Sequence, residues 1–395
     1  MKLLMISPYM PNPSWGASTR SYYLLKALAH EHTVTLLTMV NDDAMEIINT
    51  AIREIRLRHV RQVALASPAQ TKRAKQILDM LRGRSYLIDL FYREEVQKEI
   101  DVLLSQDHYD AVIFESVFMA GYCIPEDVSV IIDQHNIEHE LLRRTYQQEQ
   151  SWSRKWYNWL ETRKLKPIEL ERCRKAQGVL VTSEREYLLL KQLAPQCHIG
   201  IVPNGVDIGA FSAKGQQEIV NRIVFTGTMN YYPNIQAVQF FARECWPHIQ
   251  AQVPGATWQI VGKSPPQEVE RLAELPGVTV TGAVPDVKPY LAAASVAIAP
   301  LLVGSGTRLK ILEALAMQKA IVSTSLGCEG LAVEAGKHLM VEDRPGLFAQ
   351  AVVDLLRQPE KRASLGHAGR ELVEAEYSWE RCGNALIRAL EKMVR

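Results

Sequence analysis

Short apolar runs alternate with helical patterns along almost the whole chain, and this alternation restricts the fold more than any other feature of the sequence. Lys2 to Ser7 reads as a strand, Ser18 to His30 as a helix with Leu24, Leu25 and Leu28 on one face, and Thr33 to Thr38 as a second strand. Further strands are expected at Ala111 to Glu115, Val128 to Asp133, Gly178 to Thr182 and Ile199 to Val202. Short, continuously apolar strands suit a sheet buried on both faces. Strands that alternate with helices give a mostly parallel sheet. Right-handed crossovers then make it doubly wound.

The pattern breaks at Pro203-Asn204-Gly205-Val206-Asp207, and a polar stretch follows through Ser212, Lys214 and Gln217. It restarts with a strand at Arg222 to Thr226, a turn at Gly227 and a helix at Asn234 to Glu244. Strands at Thr257 to Val261, Val278 to Gly282, Val296 to Ala299 and Ala320 to Thr324 continue it. A chain of 395 residues accommodates two domains of roughly 100–200 residues each, so the boundary is expected near 205–220. No short internal repeat is visible, although the halves share a fold-level pattern. Ligands of such sheets bind outside the carboxyl ends of the strands, where strand order reverses. Two such domains facing each other would form a cleft, with the chemistry in loops that follow strands.

Composition excludes several alternatives. Lys and Arg number 45 against 44 Asp and Glu, so net charge gives no argument for a nucleic-acid partner. No run reaches the roughly 18 apolar residues of a membrane span. The start, MKLLMISPYMPNP, is too short in its apolar part for a signal peptide and reads as a buried strand. The expected location is cytoplasmic, with the inner face of the membrane as the alternative. Cys123, Cys173, Cys197, Cys245, Cys328 and Cys382 lack metal or redox spacing and are expected to be buried small hydrophobes.

The richest segment runs from Ala299 to Ala316. A strand ends at Pro300, and Gly304, Ser305 and Gly306 form a glycine-rich turn. A helix is expected from Thr307, a suitable N-cap. Its free amides and dipole suit a diphosphate. Arg308 and Lys310 would lie in the first turn, where cations are unfavourable unless an anion binds. Glu313 follows, and a carboxylate can accept two hydrogen bonds from vicinal ribose hydroxyls. A glycine-rich turn alone is more simply a connection before an amphipathic helix; the added cations and carboxylate favour a ligand site.

The segment SGTRLKILEALA, with KAIVST and GCEGL after it, resembles the donor region of the GT-B glycosyltransferases of family four. VPNGVD at Val202 to Asp207, FTGTMNYYPN at Phe225 to Asn234, VGK at Val261 to Lys263 and YSWERC at Tyr377 to Cys382 extend the resemblance over nearly the whole chain. It implies two Rossmann-like domains facing across a cleft. Residues 1–206 would bind acceptor, 207–377 would bind the nucleotide sugar, and a last helix, 378–395, would cross back onto the first domain. The implied donor-binding residues are Gly16, Gly227, Gly304, Ser305, Gly306, Thr307, Arg308, Lys310 and Glu313, and the catalytic ones His135, Arg308 and Lys310. The family pattern has two glutamates separated by seven residues; Glu313 matches the second, and Ser305 stands at the first. The Arg and Lys usual after the first strand of the second domain are replaced by Asn230, Tyr231, Tyr232 and Asn234. Arg308 and Lys310 are therefore expected to offset the diphosphate charge.

Asp133 to Glu138 follows the strand Val128 to Ile132 and stands at a carboxyl strand end. His135 matches the family histidine near the reacting sugar, and Asn136 is expected to cap the next helix. Gly16 matches the glycine loop after the first strand; a lone glycine there is equally a tight turn. Arg20 either reaches the cleft or sits on its helix, and Glu115 and Ser116, which end a strand, are candidates to face the acceptor. Residues 141–175 are helical, basic and aromatic, with Trp152, Trp156, Trp159, Arg154, Lys155 and Arg163. Packing is the favoured reading of these tryptophans; peripheral membrane contact or a lipid-linked acceptor is the alternative. Residues 71–95, with Arg82, Arg84 and Tyr86, have a similar character and could form an acceptor wall with them.

The implied reaction is sugar transfer from a nucleotide-diphosphate sugar to a hydroxyl acceptor with retention of configuration. The acceptor would be a sugar, a lipid-linked glycan or a small molecule, as in polysaccharide or glycoconjugate synthesis. The nucleotide sugar is a co-substrate, and no metal or other cofactor is expected; Asp42-Asp43 stands in an unmatched context. A sugar-nucleotide epimerase and a noncatalytic nucleotide-sugar-binding protein are the alternatives. A dinucleotide-dependent dehydrogenase is disfavoured, because no GxGxxG follows the first strand.

Overall fold

The computed structural model describes residues 1–13, 16–40, 55, 57–64, 85–149, 151–213, 215–304 and 308–394. The chain divides into two compact units, residues 1–204 with 379–395, and residues 205–378.

The first unit holds β1 (Lys2–Ser7), α1 (Gly16–Glu31), β2 (Thr33–Val40), β3 (His59–Ala64), α2 (Tyr86–Phe91), α3 (Glu94–Gln106), β4 (Ala111–Glu115) and β5 (Ser129–Asp133). It continues through α4 (Glu138–Gln148), α5 (Trp152–Lys175), β6 (Gly178–Val181), α6 (Glu184–Leu193) and β7 (Ile199–Ile201). Its strands pair in parallel in the order β3-β2-β1-β4-β5-β6-β7. β3, which mixes polar and apolar residues in HVRQVA, was not anticipated; it is an edge strand with His59, Arg61 and Gln62 exposed, so it lacks the continuous apolar run of the central strands.

The second unit holds β8 (Arg222–Thr226), α7 (Tyr232–Phe240), α8 (Trp246–Gln252), β9 (Thr257–Val261), α9 (Gln267–Glu270), β10 (Val278–Val280), α10 (Lys288–Ala293) and β11 (Val296–Ala299). Then come α11 (Leu309–Ala316), β12 (Ala320–Ser323), β13 (Met340–Val341), α12 (Pro345–Arg357) and α13 (Pro359–Glu376). The helix expected at Asn234 to Glu244 starts two residues earlier, with Pro233 in its first turn, and passes into a π-helical segment at Phe241–Cys245 before α8. The strand order is β10-β9-β8-β11-β12-β13, again parallel. Its core centres on Phe241, which meets Trp258 edge-on at 4.7 Å and lies 6.0 Å from Phe348, an arrangement aromatic rings prefer.

Each sheet reverses its direction of winding once, between β1 and β4 in the first unit and between β8 and β11 in the second. Loops leaving the carboxyl ends of adjacent strands diverge there and leave a crevice. The final helix α14 (Trp379–Met393) belongs to the first unit: Trp379 stacks on Tyr23 at 4.8 Å, and Gly383 lies against Ala27. Glycine is required there, because an added Cβ would fall 2.5 Å from the Ala27 Cβ.

Three expectations are corrected. The stretch 141–175 is two helices, α4 and α5, broken around Glu149. Trp152 and Trp156 do not pack; they are 80% and 45% exposed, because burial on α5 begins only at Glu161. Trp159 is partly buried, with the Arg163 guanidinium 4.3 Å above its ring. Finally, Cys123 is exposed, unlike the other five cysteines. Asp42, Asp43, Arg82 and Arg84 lie outside the described residues.

Candidate functional site

The second unit gathers its polar groups at the switch point of its sheet. β8 ends at Thr226, and Gly227 donates its amide to the Val261 carbonyl at 3.0 Å, which carries the parallel pairing one residue past the strand. A Cβ on Gly227 would stand 2.7 Å from Asn234 Nδ2 and 2.9 Å from Lys310 Nζ. Lys310, from α11, donates to Asn234 Oδ1 at 2.8 Å, and Asn234 donates through Nδ2 to the Thr228 carbonyl at 2.9 Å. The ammonium lies 3.9 Å from the centre of the Phe225 ring. Burial, reinforced by the nearby Arg308 charge, lowers the Lys310 pKa to about 7, with Glu313 opposing. Burial raises Glu313 to about 7 against the charges of Lys310 and Lys288. Both groups thus sit where a ligand's charge or hydrogen bonds would decide their protonation.

On the other side of the switch point, Gly304 follows β11 with φ +123°. Its open face is filled by Arg308: a Cβ would fall 2.5 Å from Nη2. The expected N-cap and first turn need correction. Helix α11 starts at Leu309, so Arg308 is itself the N-cap residue, in extended geometry and without a capping side-chain bond. A short polar side chain is the usual cap because it can fold back on the first amides; the long Arg308 chain instead turns back over Gly304. Ser305, Gly306 and Thr307 lie outside the described residues. The turn after β12 is packed tightly beside this loop: Thr324 donates its hydroxyl to the Leu301 carbonyl at 2.6 Å and accepts the Gly327 amide at 3.0 Å.

The first unit gathers a different cluster at the ends of β1, β4 and β5. Arg20 of α1 is 1% exposed. It donates Nε and Nη2 to the two oxygens of Asp133 at 3.1 and 2.7 Å. Its Nη1 donates to the carbonyls of Val202 and Pro203 and to Asn204 Oδ1, at 2.9, 3.1 and 3.1 Å. Arg20 therefore neither reaches out nor decorates a helix: it clamps β5 to the chain leaving the unit. Burial works to raise the Asp133 pKa, and the Arg20 charge, aided by His135, overrides this and holds it well below the usual carboxylate range. His135 Nε2 lies 3.7 Å from Asp133 Oδ2 and 3.7 Å from Glu115 Oε1. Glu115 is fully buried and accepts the Ser21 hydroxyl, so it does not face a substrate. Ser116 turns the chain at φ 76°.

Asn136 does not cap α4. The N-cap residue is Ile137, and the free amides of Glu138 and His139 donate instead to the two oxygens of Glu169, each at 2.9 Å. A buried carboxylate at a helix start answers both the dipole and the unpaired amides, which an amide side chain does less well. Gly16 begins α1.

Sequence reasoning missed Asn234 as the partner of Lys310 and Arg20 as the partner of Asp133. A signal existed for the second: Glu115 and Asp133 are charged residues that each follow at least three consecutive apolar residues at the end of a strand.

Comparison with known proteins places this geometry. No curated protein matches the chain. Among solved structures it is similar over 100% of its length to 99% of a sucrose-phosphate synthase from Thermosynechococcus elongatus, with a TM-score of 0.72 at 16% identity. It is similar over 99% to the whole of HepE from Anabaena in complex with UDP, with a TM-score of 0.67 at 14% identity. A mutant of S. aureus TarM, in complex with fondaparinux, alpha-GlcNAc-glycerol and UDP, matches over 98% of this chain and 99% of its own, with a TM-score of 0.71 at 12% identity. These likenesses establish the two-domain α/β fold. Residues 16–209 match Glycosyltransferase Family 4, and residues 220–358 match Glycosyl transferases group 1. With both halves of the fold matched in order along one chain, the protein is a glycosyltransferase of the GT-B fold and belongs to the family-four, group 1 enzymes.

Proposed function

We propose that the protein moves a sugar from a nucleotide-diphosphate sugar to a hydroxyl acceptor with retention of configuration, and that the donor diphosphate binds at the switch point of the second unit. The observation that carries this reading is the convergence of Lys310 Nζ and Asn234 on the backbone of Gly227 at the end of β8. A lysine held by one neutral partner over an aromatic face keeps two N–H donors for a phosphate. Arg308 would add a second cation, and Glu313 would accept from the ribose hydroxyls. These groups offset the diphosphate charge without a required metal. UDP in the HepE and TarM structures makes a uridine nucleotide the first donor to test.

In the reaction the bond between the sugar carbon and the diphosphate oxygen breaks, and the acceptor oxygen bonds to that carbon on the same face. The acceptor proton passes to the departing phosphate oxygen. His135, as the family resemblance implies, would hydrogen-bond a sugar hydroxyl. Exposed Trp152 and Trp156 beside Arg154 and Lys155 suit the interface of an anionic bilayer, where a lipid-linked acceptor would reside; co-sedimentation with anionic vesicles that persists in Trp152→Ala/Trp156→Ala would remove that contact. For donor binding the test is calorimetry with UDP and UDP-sugars: saturable binding that Lys310→Met weakens at least about tenfold supports the site, and binding indifferent to Lys310 rejects it.

A further inference from the structure

The cluster around His135 holds a buried carboxylate that the transfer chemistry does not use. Glu115 closes β4, and its carboxylate accepts from Ser21. Ser7 and Tyr9 lie close to it, the Ser7 hydroxyl donating to the Tyr9 carbonyl at 2.6 Å. Its Oε2 is buried without a hydrogen-bond partner, and so is His135 Nε2. At 3.7 Å from each carboxylate, Nε2 is just beyond hydrogen-bond reach of either. A small rotation of the ring completes one bond or the other. The two carboxylates are not equivalent. Asp133 already has two bonds from Arg20. Glu115 accepts from the neutral Ser21 hydroxyl and has the His135 ring beside it.

Imidazole chemistry then fixes the proton. A lone pair on Nε2 aimed between two carboxylates would be repelled, whereas an N–H there is attracted. The neutral ring carries one N–H, so Nδ1 is left bare and can only accept. The ring retains 12% exposure. We propose that Glu115 is a positioning residue that locks His135 in the Nε2–H tautomer, so that His135 meets a hydroxyl of the bound sugar as a hydrogen-bond acceptor through Nδ1. This rests on the sugar-contacting role proposed for His135 above. The other titratable groups that face the cluster are Tyr9 from the β1–α1 connection, Arg20 from α1, Asp133 from β5 and Glu138 from α4.

The tautomer readout needs no substrate, so it fails or succeeds independently of the transfer reaction, and turnover is read beside it. Protein labelled with 15N in the histidine rings is observed above pH 8 through long-range proton–nitrogen correlations, with His135 assigned by its loss in His135→Gln. The wild type should show a single Nε2–H form. Glu115→Leu should give the mixed tautomers of a solvated imidazole and lower kcat/KM about tenfold while leaving UDP affinity unchanged. Glu115→Gln keeps an oxygen acceptor and should hold the single tautomer with kcat/KM within threefold of wild type. An Nδ1–H form in the wild type overturns the proposal, as does an unshifted tautomer or an unshifted kcat/KM in folded Glu115→Leu. If Glu115→Leu does not fold, the wild-type and glutamine spectra decide.

Discussion

Replacing Arg20 by methionine removes the guanidinium while keeping a chain of similar length, and the structure sets the size of the effect. Asp133, nearly fully buried, loses both charge-assisted bonds, and the carbonyls of Val202 and Pro203 lose a donor. Breaking a buried pair from one side costs about 3–5 kcal/mol. The charge part has a ceiling, because Asp133 can take up a proton instead of staying ionised. From an unfolded pKa near 3.9, at about 1.4 kcal/mol per pH unit, that ceiling is about 4 kcal/mol at pH 7 and about 1.5 kcal/mol at pH 5. The two carbonyls add about 1 kcal/mol between them. The sign follows from the carboxylate. In the wild type its folded pKa is depressed, so its contribution is complete above the unfolded value and does not change between pH 5 and 7. In the variant its folded pKa is raised, so the destabilisation grows with pH across that interval. The expected loss is about 5 kcal/mol at pH 7 and about 2.5 kcal/mol at pH 5, a large share of a domain's about 5–15 kcal/mol. Amide exchange of the β5 peptide in increasing urea separates opening of the first unit from that of the second. Adding Asp133→Asn should restore most of the loss. A cost below about 1 kcal/mol at pH 7, or one equal at both pH values, refutes the reasoning.

Other consequences concern the second unit. Lys310→Met removes one charge-assisted hydrogen bond of about 1.5–3 kcal/mol and should weaken UDP binding about 10- to 150-fold by calorimetry, with turnover falling far more than acceptor affinity; a change below about threefold contradicts this. UDP-sugar affinity should peak near pH 7. Lys310, lowered to about 7, loses its charge above that pH, and Glu313, raised to about 7, loses acceptor capacity when protonated below it; a profile flat from pH 5.5 to 8.5 would rule out the pair. Gly227→Ala places a methyl 2.7 Å from Asn234 Nδ2 and 2.9 Å from Lys310 Nζ and should raise the UDP dissociation constant about tenfold, with a lower melting temperature of the apoprotein alongside.

The strands central to each sheet were legible because burial on both faces leaves an uninterrupted apolar run, as in Ala111–Glu115 and Val296–Ala299. β3 and β13 were not: one is a half-exposed edge strand and the other has two residues. In the second unit, glycines and cations at fixed spacing pointed to the loop after β11, because a helix start that tolerates Arg308 and Lys310 calls for an anion. The Lys310–Asn234 pair was hidden, since it joins residues 76 positions apart. Arg20 and Asp133 are 113 positions apart, and a lone arginine in an amphipathic helix carries no mark of its partner. The capping of α4 by Glu169 was missed because local caps were considered, whereas the carboxylate arrives from the next helix. The exposure of Trp152 could not be read from its type, because tryptophan serves cores and interfaces alike.

The most direct measurement is product analysis by mass spectrometry and NMR after incubation with UDP-sugars, with and without hydroxyl acceptors. The account predicts release of UDP coupled to a glycosylated acceptor whose new linkage keeps the anomeric configuration of the donor. Conversion of the donor to an isomeric nucleotide sugar without any acceptor, or tight UDP-sugar binding with no turnover for any acceptor or water, would contradict it.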